Sequence, residues 1–362
     1  MSTPKLRIIH ETNPKKYFPA LYELADQGFI ELVGTHRYSV CKEWLRAWVK
    51  DKTSFKVRTS NAIGDFFLRF KIPFIKNETI VIGFAPWDWR ILVYRTLAKR
   101  NKILYQTSWH DWRLDNTPRQ PRPFWFKTWL QKQWHAFVKN PNVTVIAVTP
   151  VVAETVKKET GVLAKVIPHA VPEVFFAAGE KSASQEPGKL KLLYVGEVSE
   201  KKGIKVLLKL LEYFDNSEIS LTVVGNGPLV NLVKESPDDV TYLGPIYDRQ
   251  KLAGVMAEHD VLMLLSQKTP TWEELFGIVI VEAIAAGCAV IASDHIGPRG
   301  ILGERSENGL IEEGNIQCIV AYLNRFITQK NAVHKLKERQ NVANCYSTHS
   351  IKKNWLKVIQ SL

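Results

Sequence analysis

The 362-residue chain contains no apolar run of the roughly 18 residues that a membrane-spanning helix needs. Its opening stretch, MSTPKLRIIHETNPKK, lacks the apolar core of a secretory signal. Cysteine is scarce. Cys41, Cys288, Cys318 and Cys345 are scattered, without zinc or disulfide-framework spacing. A reducing cytoplasm is the compartment these absences imply. No G-x-G-x-x-G follows the first strand, which disfavours a dinucleotide oxidoreductase. Internal repeats and low-complexity tracts are also missing. Acidic residues are in deficit: 36 Asp and Glu face 49 Lys and Arg, a net charge of +13. That balance favours an anionic partner, whether nucleic acid, a phosphorylated ligand or an anionic membrane surface. Residues 1–168 carry essentially all of the excess and most of the tryptophans; the remainder is close to neutral.

What is present reads as two α/β domains, the count expected for this length. In the second half, apolar runs of strand length alternate with helical segments. The strands are KLLYVG (191–196), ISLTVVGNG (219–227), VTYLGPI (240–246), DVLMLLS and CAVIAS. Such alternation predicts a parallel sheet covered on both faces, the doubly wound Rossmann-like arrangement. The first half alternates less clearly. The strands expected there are KLRIIHET, FIELVGTH, ETIVIGFA (78–85), KILYQTS (102–108) and VTVIAVT (143–149). Expected helices span 87–100, 124–139 and 149–161. The polar stretch EKSASQEPGK (180–189) reads as a linker or loop.

One segment raises a physical question. FGIVIVEAIAAG is apolar nearly all round, which marks a buried helix, yet it holds Glu282. An unpaired buried carboxylate costs several kcal/mol, so Glu282 needs a partner. The partner is either internal, such as a backbone amide or an arginine, or a ligand hydroxyl at the carboxyl edge of the sheet, where such domains bind ligands. The helix starts at Phe276-Gly277, after a polar loop with Glu273 and Glu274. Its first amides suit a phosphate.

ELFGIVIVEA (274–283), followed by AAGCAVIAS, closely resembles the E-x7-E motif of retaining GT-B glycosyltransferases of family four, also called glycosyl transferases group 1. LLYVGEVSEKKGIKVLL, VVGNGPL, VIPHAVPEVFF, TSWHDW, SDHIGPRGIL and ENGLI resemble further pieces of that family. The resemblance implies two Rossmann-like domains facing across a cleft. Residues 1–168 would bind the acceptor and 169–346 the nucleotide-sugar, with a last helix in 347–362 crossing back onto the first domain. It also implies transfer from a nucleotide-diphospho-sugar with retained anomeric configuration, without cofactor or metal.

Carried over residue by residue, the resemblance implies that Glu282 binds ribose hydroxyls and Glu274 faces the donor sugar. Phe276, Gly277 and Ile278 would offer backbone amides, and Gly196 and Gly225 would line the diphosphate. Lys202 would hold the diphosphate as negative charge develops on it. His110 would sit near the reacting carbon, with Asp111 in the same turn. Three departures stand out. Glu197 replaces the usual arginine after the strand glycine, where it would repel a diphosphate. Either Glu197 points away from the diphosphate or another cation compensates, Arg299 being the candidate. Gly300 replaces the family's glutamate, and the N-terminal glycine-rich loop is missing.

KEWLRAWVKDK (42–52), DFFLRFKIPFIK (65–76) and PRPFWFKTWLQKQWHAFVK (121–139) mix cations with large aromatics. They suit an anionic membrane surface or, equally by composition, single-stranded nucleic acid; each can also be an ordinary helix with its core face. A glycan or lipid-linked acceptor is the expected partner, these stretches favouring a lipid-linked or membrane-proximal one at the inner face of the membrane, and nucleic acid is not expected. Trp87, Trp89 and Trp109 are candidates for an acceptor-binding platform, with Trp112 beside them, or else paired core residues. A catalytically silent scaffold or carbohydrate-binding subunit is the rival function, supported by Glu197 and the missing loop.

Overall fold

The computed structural model describes residues 3–10, 14–37, 40, 44–45, 55–109, 112, 123–181, 188–237, 239–269, 272–303, 309–328 and 340–362. The chain divides into two compact units: Met1–Ala170 with His349–Leu362, and Val171–Thr348. Among the described residues each unit is built on one wholly parallel six-stranded sheet.

In the first unit the strands are β1 (Lys5–His10), β2 (Glu31–Arg37), β3 (Thr79–Gly83), β4 (Lys102–Thr107), β5 (Val143–Ala147) and β6 (Lys165–Val166), ordered β2-β1-β3-β4-β5-β6. All five residues of β3 are buried, as expected of a strand covered on both faces. One face packs Phe84, Trp87, Tyr105, Trp112 and Trp134 into an aromatic core. The other face is closed by the helix Thr348–Gln360, whose Ile351, Trp355, Val358 and Ile359 are buried with Leu6, Ile8 and Phe18. The last helix is thus part of this unit's core. Its Lys352 pairs with Glu23.

Local signals explain several boundaries. Thr149 accepts a hydrogen bond from the Val152 amide and Pro150 opens the helix Pro150–Thr160; Gly161, at φ 75°, closes it. The expected helix 87–100 is instead a short α-turn, Ile91–Tyr94, running into a 3-10 turn, Arg95–Lys99. Trp87 sits at φ 62° and the Asp88 carboxylate accepts from the Arg90 amide, which delays the helix start. Of the helix Phe55–Lys71, only 65–71 has a counterpart among the sequence expectations, as the helical reading of the stretch 65–76. Among its described side chains Leu68 is the one buried apolar residue, while Val57, Ile63, Phe66, Phe67 and Phe70 are exposed, so the apolar spacing does not mark a core face.

In the second unit the strands are β7 (Leu190–Glu197), β8 (Ile219–Asn226), β9 (Val240–Gly244), β10 (Val261–Leu264), β11 (Ala289–Ser293) and β12 (Leu310–Ile311), ordered β12-β11-β10-β7-β8-β9. The chain first builds outward from β7 to β9, then returns to β10 on the other side of β7. The topological switch point therefore lies between β7 and β10, where open α/β sheets place ligands. The apolar helix Ile278–Ala285 is buried, each fully covered Ile or Val contributing about 1.5–3 kcal/mol.

Candidate functional site

Because every strand of the second sheet runs the same way, the loops after β7, β9, β10, β11 and β12 share one edge. At the switch point Lys202, after β7, forms an ion pair with Glu274, after β10. Ser266 Oγ also approaches Glu274 Oε2, at 3.4 Å. The Lys202 ammonium lies 4.8 Å from the centre of the Trp272 ring, which holds it by a cation–π contact.

A second tier fixes Glu274. Its backbone N–H donates to His295 Nδ1 at 3.1 Å. An amide can only donate, so Nδ1 bears no proton and the ring proton is on Nε2. His295 Nε2 then donates to Glu313 Oε2, at 3.1 Å. The Glu313 carboxylate also accepts from the Lys268 amide at 2.9 Å. The His295 side chain is buried, so this chain of bonds locks the loop rather than meeting solvent.

Glu282 is 3% exposed and pairs with Arg249, from the helix Arg249–Ala257 after β9. Asp248 caps that helix, accepting from the amides of Gln250 and Lys251. Arg249 also stacks on Phe175, 4.7 Å from the ring centre. The internal partner left open by the sequence is therefore an arginine. Its side chain is 40% exposed, so it can also reach a ligand. Gly277, at φ 70°, leads into the N-terminus of Ile278–Ala285. Phe276 is buried, with its ring edge-on to Tyr346.

Glu197 pairs with Lys201 at 2.8 Å, so a neighbouring lysine neutralises the unexpected carboxylate. Arg299, the cation expected there, instead forks onto Asp294 through Nε (2.8 Å) and Nη2 (2.5 Å). Tyr194 Oη donates to the Glu197 carbonyl at 2.6 Å. Burial pushes this phenol well above its ordinary value, so it stays a donor. The two glycines at the strand ends differ. A Cβ on Gly225 would meet Gly196 O at 1.8 Å, whereas one on Gly196 would meet nothing within 4 Å. Gly225 thus brings β7 and β8 together, and Gly196 borders open space.

In the first unit the switch point lies between β1 and β3. His10, at the end of β1, lies against Gly83, where a Cβ would meet its ring at 2.4 Å. His110 and Asp111 lie outside the described residues. Trp89 is exposed, with the Arg90 guanidinium 5.5 Å from its ring centre. Trp109 is partly buried and its amide donates to Thr107 Oγ1. Trp87 departs from the stacking platform: it is 1% exposed and donates from Nε1 to the Trp112 carbonyl. A ring so enclosed has no face for a sugar, and Trp112 is equally buried. Of the basic aromatic stretches, 42–52 lies outside the described residues except Trp44 and Leu45. In Phe124–Val138, Leu130, Trp134 and Phe137 are core while Trp125 and Trp129 are exposed. Among the described residues no helix is long and apolar enough to cross a membrane. No group of three or more His, Cys, Asp or Glu among them is placed to hold a metal ion.

Sequence reasoning did not single out Arg249, Ser266, Trp272, His295 or Glu313. Each follows a strand end, which was the available signal, but their meeting depends on strand order.

The family description "Glycosyl transferases group 1" matches residues 179–342, which contain the whole of this cluster. The chain carries a glycosyl transferases group 1 domain. Over 132 residues it is 33% identical to phosphatidyl-myo-inositol mannosyltransferase of Mycobacterium leprae (strain TN), an alignment covering 34% of this chain and 33% of that protein. The aligned part of the chain thus spans about a third of the length of that relative. Anabaena HepE, solved with UDP and glucose, superposes with a TM-score of 0.67 at 15% identity, over 99% of this chain and 100% of that one. Sucrose-phosphate synthase of Thermosynechococcus elongatus gives a TM-score of 0.68 at 16% identity, over 99% and 98%. At these identities the likeness concerns the fold. The fold is that of the GT-B glycosyltransferases, with one Rossmann-like sheet in each unit.

Proposed function

We propose that the protein is a retaining glycosyltransferase that moves a sugar from a nucleotide-diphospho-sugar to a glycan or lipid-linked acceptor. The observation that carries this reading is the Lys202–Glu274 pair at the switch point of the second sheet, held under Trp272 beside the N-terminus of Ile278–Ala285. In this reading the diphosphate takes the place of Glu274 as the partner of Lys202. The ammonium then neutralises charge as the bond from the anomeric carbon to the phosphate oxygen breaks. Glu274, released, faces the sugar hydroxyls. Glu282 takes the ribose hydroxyls with Arg249 beside it. The amides of Phe276, Gly277 and Ile278 and the open side of Gly196 receive the diphosphate. The departing phosphate oxygen takes the acceptor proton on the same face, which retains configuration. No metal or cofactor is required by this scheme. His110 and Asp111, with Trp89 and Trp109, serve the acceptor side. The basic first half places the protein at an anionic membrane face.

HepE has been solved with UDP-glucose and with UDP, which makes uridine donors the first to try. The test is thermal shift against nucleotide diphosphates and nucleotide-sugars, comparing wild type with Glu282→Gln. A ligand of the native state raises apparent stability by mass action. A base-selective shift that weakens in the variant supports the reading and names the donor class. No shift with any nucleotide makes a silent GT-B relative the better description.

A further inference from the structure

The first unit holds a cavity of about 420 Å³ at the carboxyl end of β2. It is lined by Lys15, Tyr22, Thr35, His36, Arg37 and Asp65, among others. Its charge is biased. Asp65 accepts from the backbone amide of Arg37 at 3.1 Å, and so helps set the strand end. His36 Nε2 is 2.9 Å from Arg7 Nη1, a group that can only donate, so the imidazole accepts there and its proton is on Nδ1. Nδ1 in turn faces Asp65 Oδ1 at 3.5 Å. Among the described lining residues Asp65 is the one carboxylate, and it meets the Arg37 amide and the His36 imidazole, while Lys15 and Arg37 bring two cations to the same cavity.

One wall of the cavity is the helix Phe55–Lys71, through Ser60, Gly64 and Asp65. That helix is built inside out. Leu68 and Ile72, which follows it, are buried. Ile63, Phe66, Phe67 and Phe70 follow the i, i+3, i+4, i+7 spacing of an apolar stripe, yet each is at least half exposed. Phe74 extends the stripe and is 78% exposed. The rings of Phe66, Phe67 and Phe70 touch one another, with centres 5.4–6.2 Å apart. Lys56, Lys71 and Lys76 are exposed around them. A contiguous exposed aromatic ridge marks an interaction surface. Lysines flanking aromatics suit an anionic lipid face, where the rings enter the interface and the ammonium groups meet head groups. Phe67 lies three residues from Gly64, so the ridge begins beside the cavity.

We propose that the cavity and the phenylalanine ridge together bind an amphiphile with a phosphate-type anionic head, the head between Lys15 and Arg37 and the hydrocarbon along Phe66, Phe67 and Phe70. It rests on the glycosyl-transfer reading only in identifying this amphiphile with the acceptor; the binding stands without it.

Full-length protein is sedimented with vesicles of phosphatidylcholine alone and of phosphatidylcholine mixed equally with phosphatidylglycerol. Wild type binds the mixed vesicles and not the neutral ones. Lys15→Ala with Arg37→Ala weakens binding by about fivefold per cation removed, the effect of one basic residue at an anionic surface. Phe66→Ser with Phe70→Ser, at exposed positions, abolishes sedimentation. In a separate arm, inorganic phosphate raises the melting temperature of wild type and of the phenylalanine variant, but not of the Lys15, Arg37 variant. A phosphate shift without vesicle binding overturns the lipid half and leaves a soluble phosphate compound as ligand. Equal binding to neutral vesicles, or binding unchanged in both variants, overturns the whole. UDP binding, measured on the same proteins, reports on the second unit alone. Its absence with vesicle binding intact counts against the transfer reading and not against this one.

Discussion

Arg249 and Glu282 form an ion pair that ties the helix after β9 to the buried helix after β10. The two ends of the pair are unequal. Glu282 is almost wholly enclosed, while Arg249 reaches solvent and lies on Phe175. Arg249→Ala should therefore be the more harmful change, because it removes the cation beside a buried carboxylate, at a cost of about 3–5 kcal/mol. Glu282→Gln leaves a neutral group in the helix and a solvated guanidinium outside it, and should cost about 1 kcal/mol. Urea unfolding of the two variants checks the order. Near-equal losses would mean that the pair is not what holds Glu282.

Lys202→Met keeps the apolar stem beneath Trp272 and removes the charge. In the proposed reaction it should lower kcat by about 100- to 1,000-fold, the range seen on losing one electrostatic group aimed at developing charge. The KM for donor should change far less. Steady-state kinetics with whichever donor gives the thermal shift is the measurement. A rise in KM with kcat intact would give Lys202 a role in binding only.

The two strand-end glycines should respond differently. Gly225→Ala places a Cβ 1.8 Å from the Gly196 carbonyl oxygen at φ 149°, so the β7–β8 pairing must open. A loss of about 2–4 kcal/mol is expected. Gly196→Ala meets open space and should alter stability by no more than about 1 kcal/mol. Its effect should appear in nucleotide affinity, read by calorimetric titration.

Burial lowers the affinity of His259 for a proton below its ordinary value of 6.5, and the ring Nδ1 donates to the Val255 carbonyl at 2.6 Å. His135 is shifted in the same direction, again chiefly by burial. The unfolded chain then takes up protons before the native one does. Stability contributed by these groups is present above 6.5 and is lost as pH falls through the native values. Urea midpoints should drop from about pH 7 to about pH 5, and His259→Gln should flatten that slope. An unchanged slope would assign the acid limb to other groups.

The sequence by itself determined most of the second unit. The strands around KLLYVG, LTVVG, VLMLL and AVIAS are short apolar runs that only a doubly covered parallel sheet accommodates. Glu282 was legible because a carboxylate in an apolar helix is a costly choice without a partner, whereas Glu274 and Lys202 were singled out only through the resemblance of ELFGIVIVEA and EKKG to the family's motifs. The first unit was less readable. In the helix Phe55–Lys71 the apolar stripe faces solvent rather than the core, and a tryptophan looks the same in a string whether it is Trp87 in the core or Trp89 in solvent. What only the tertiary structure decided is who meets whom. Strand order brings Lys202 to Glu274 across 72 positions, Arg249 to Glu282 across 33, and His295 to the Glu274 amide across 21. Charge neutralisation and hydrogen bonding act over a few ångströms, so these partnerships exist only once the sheet has set the distances.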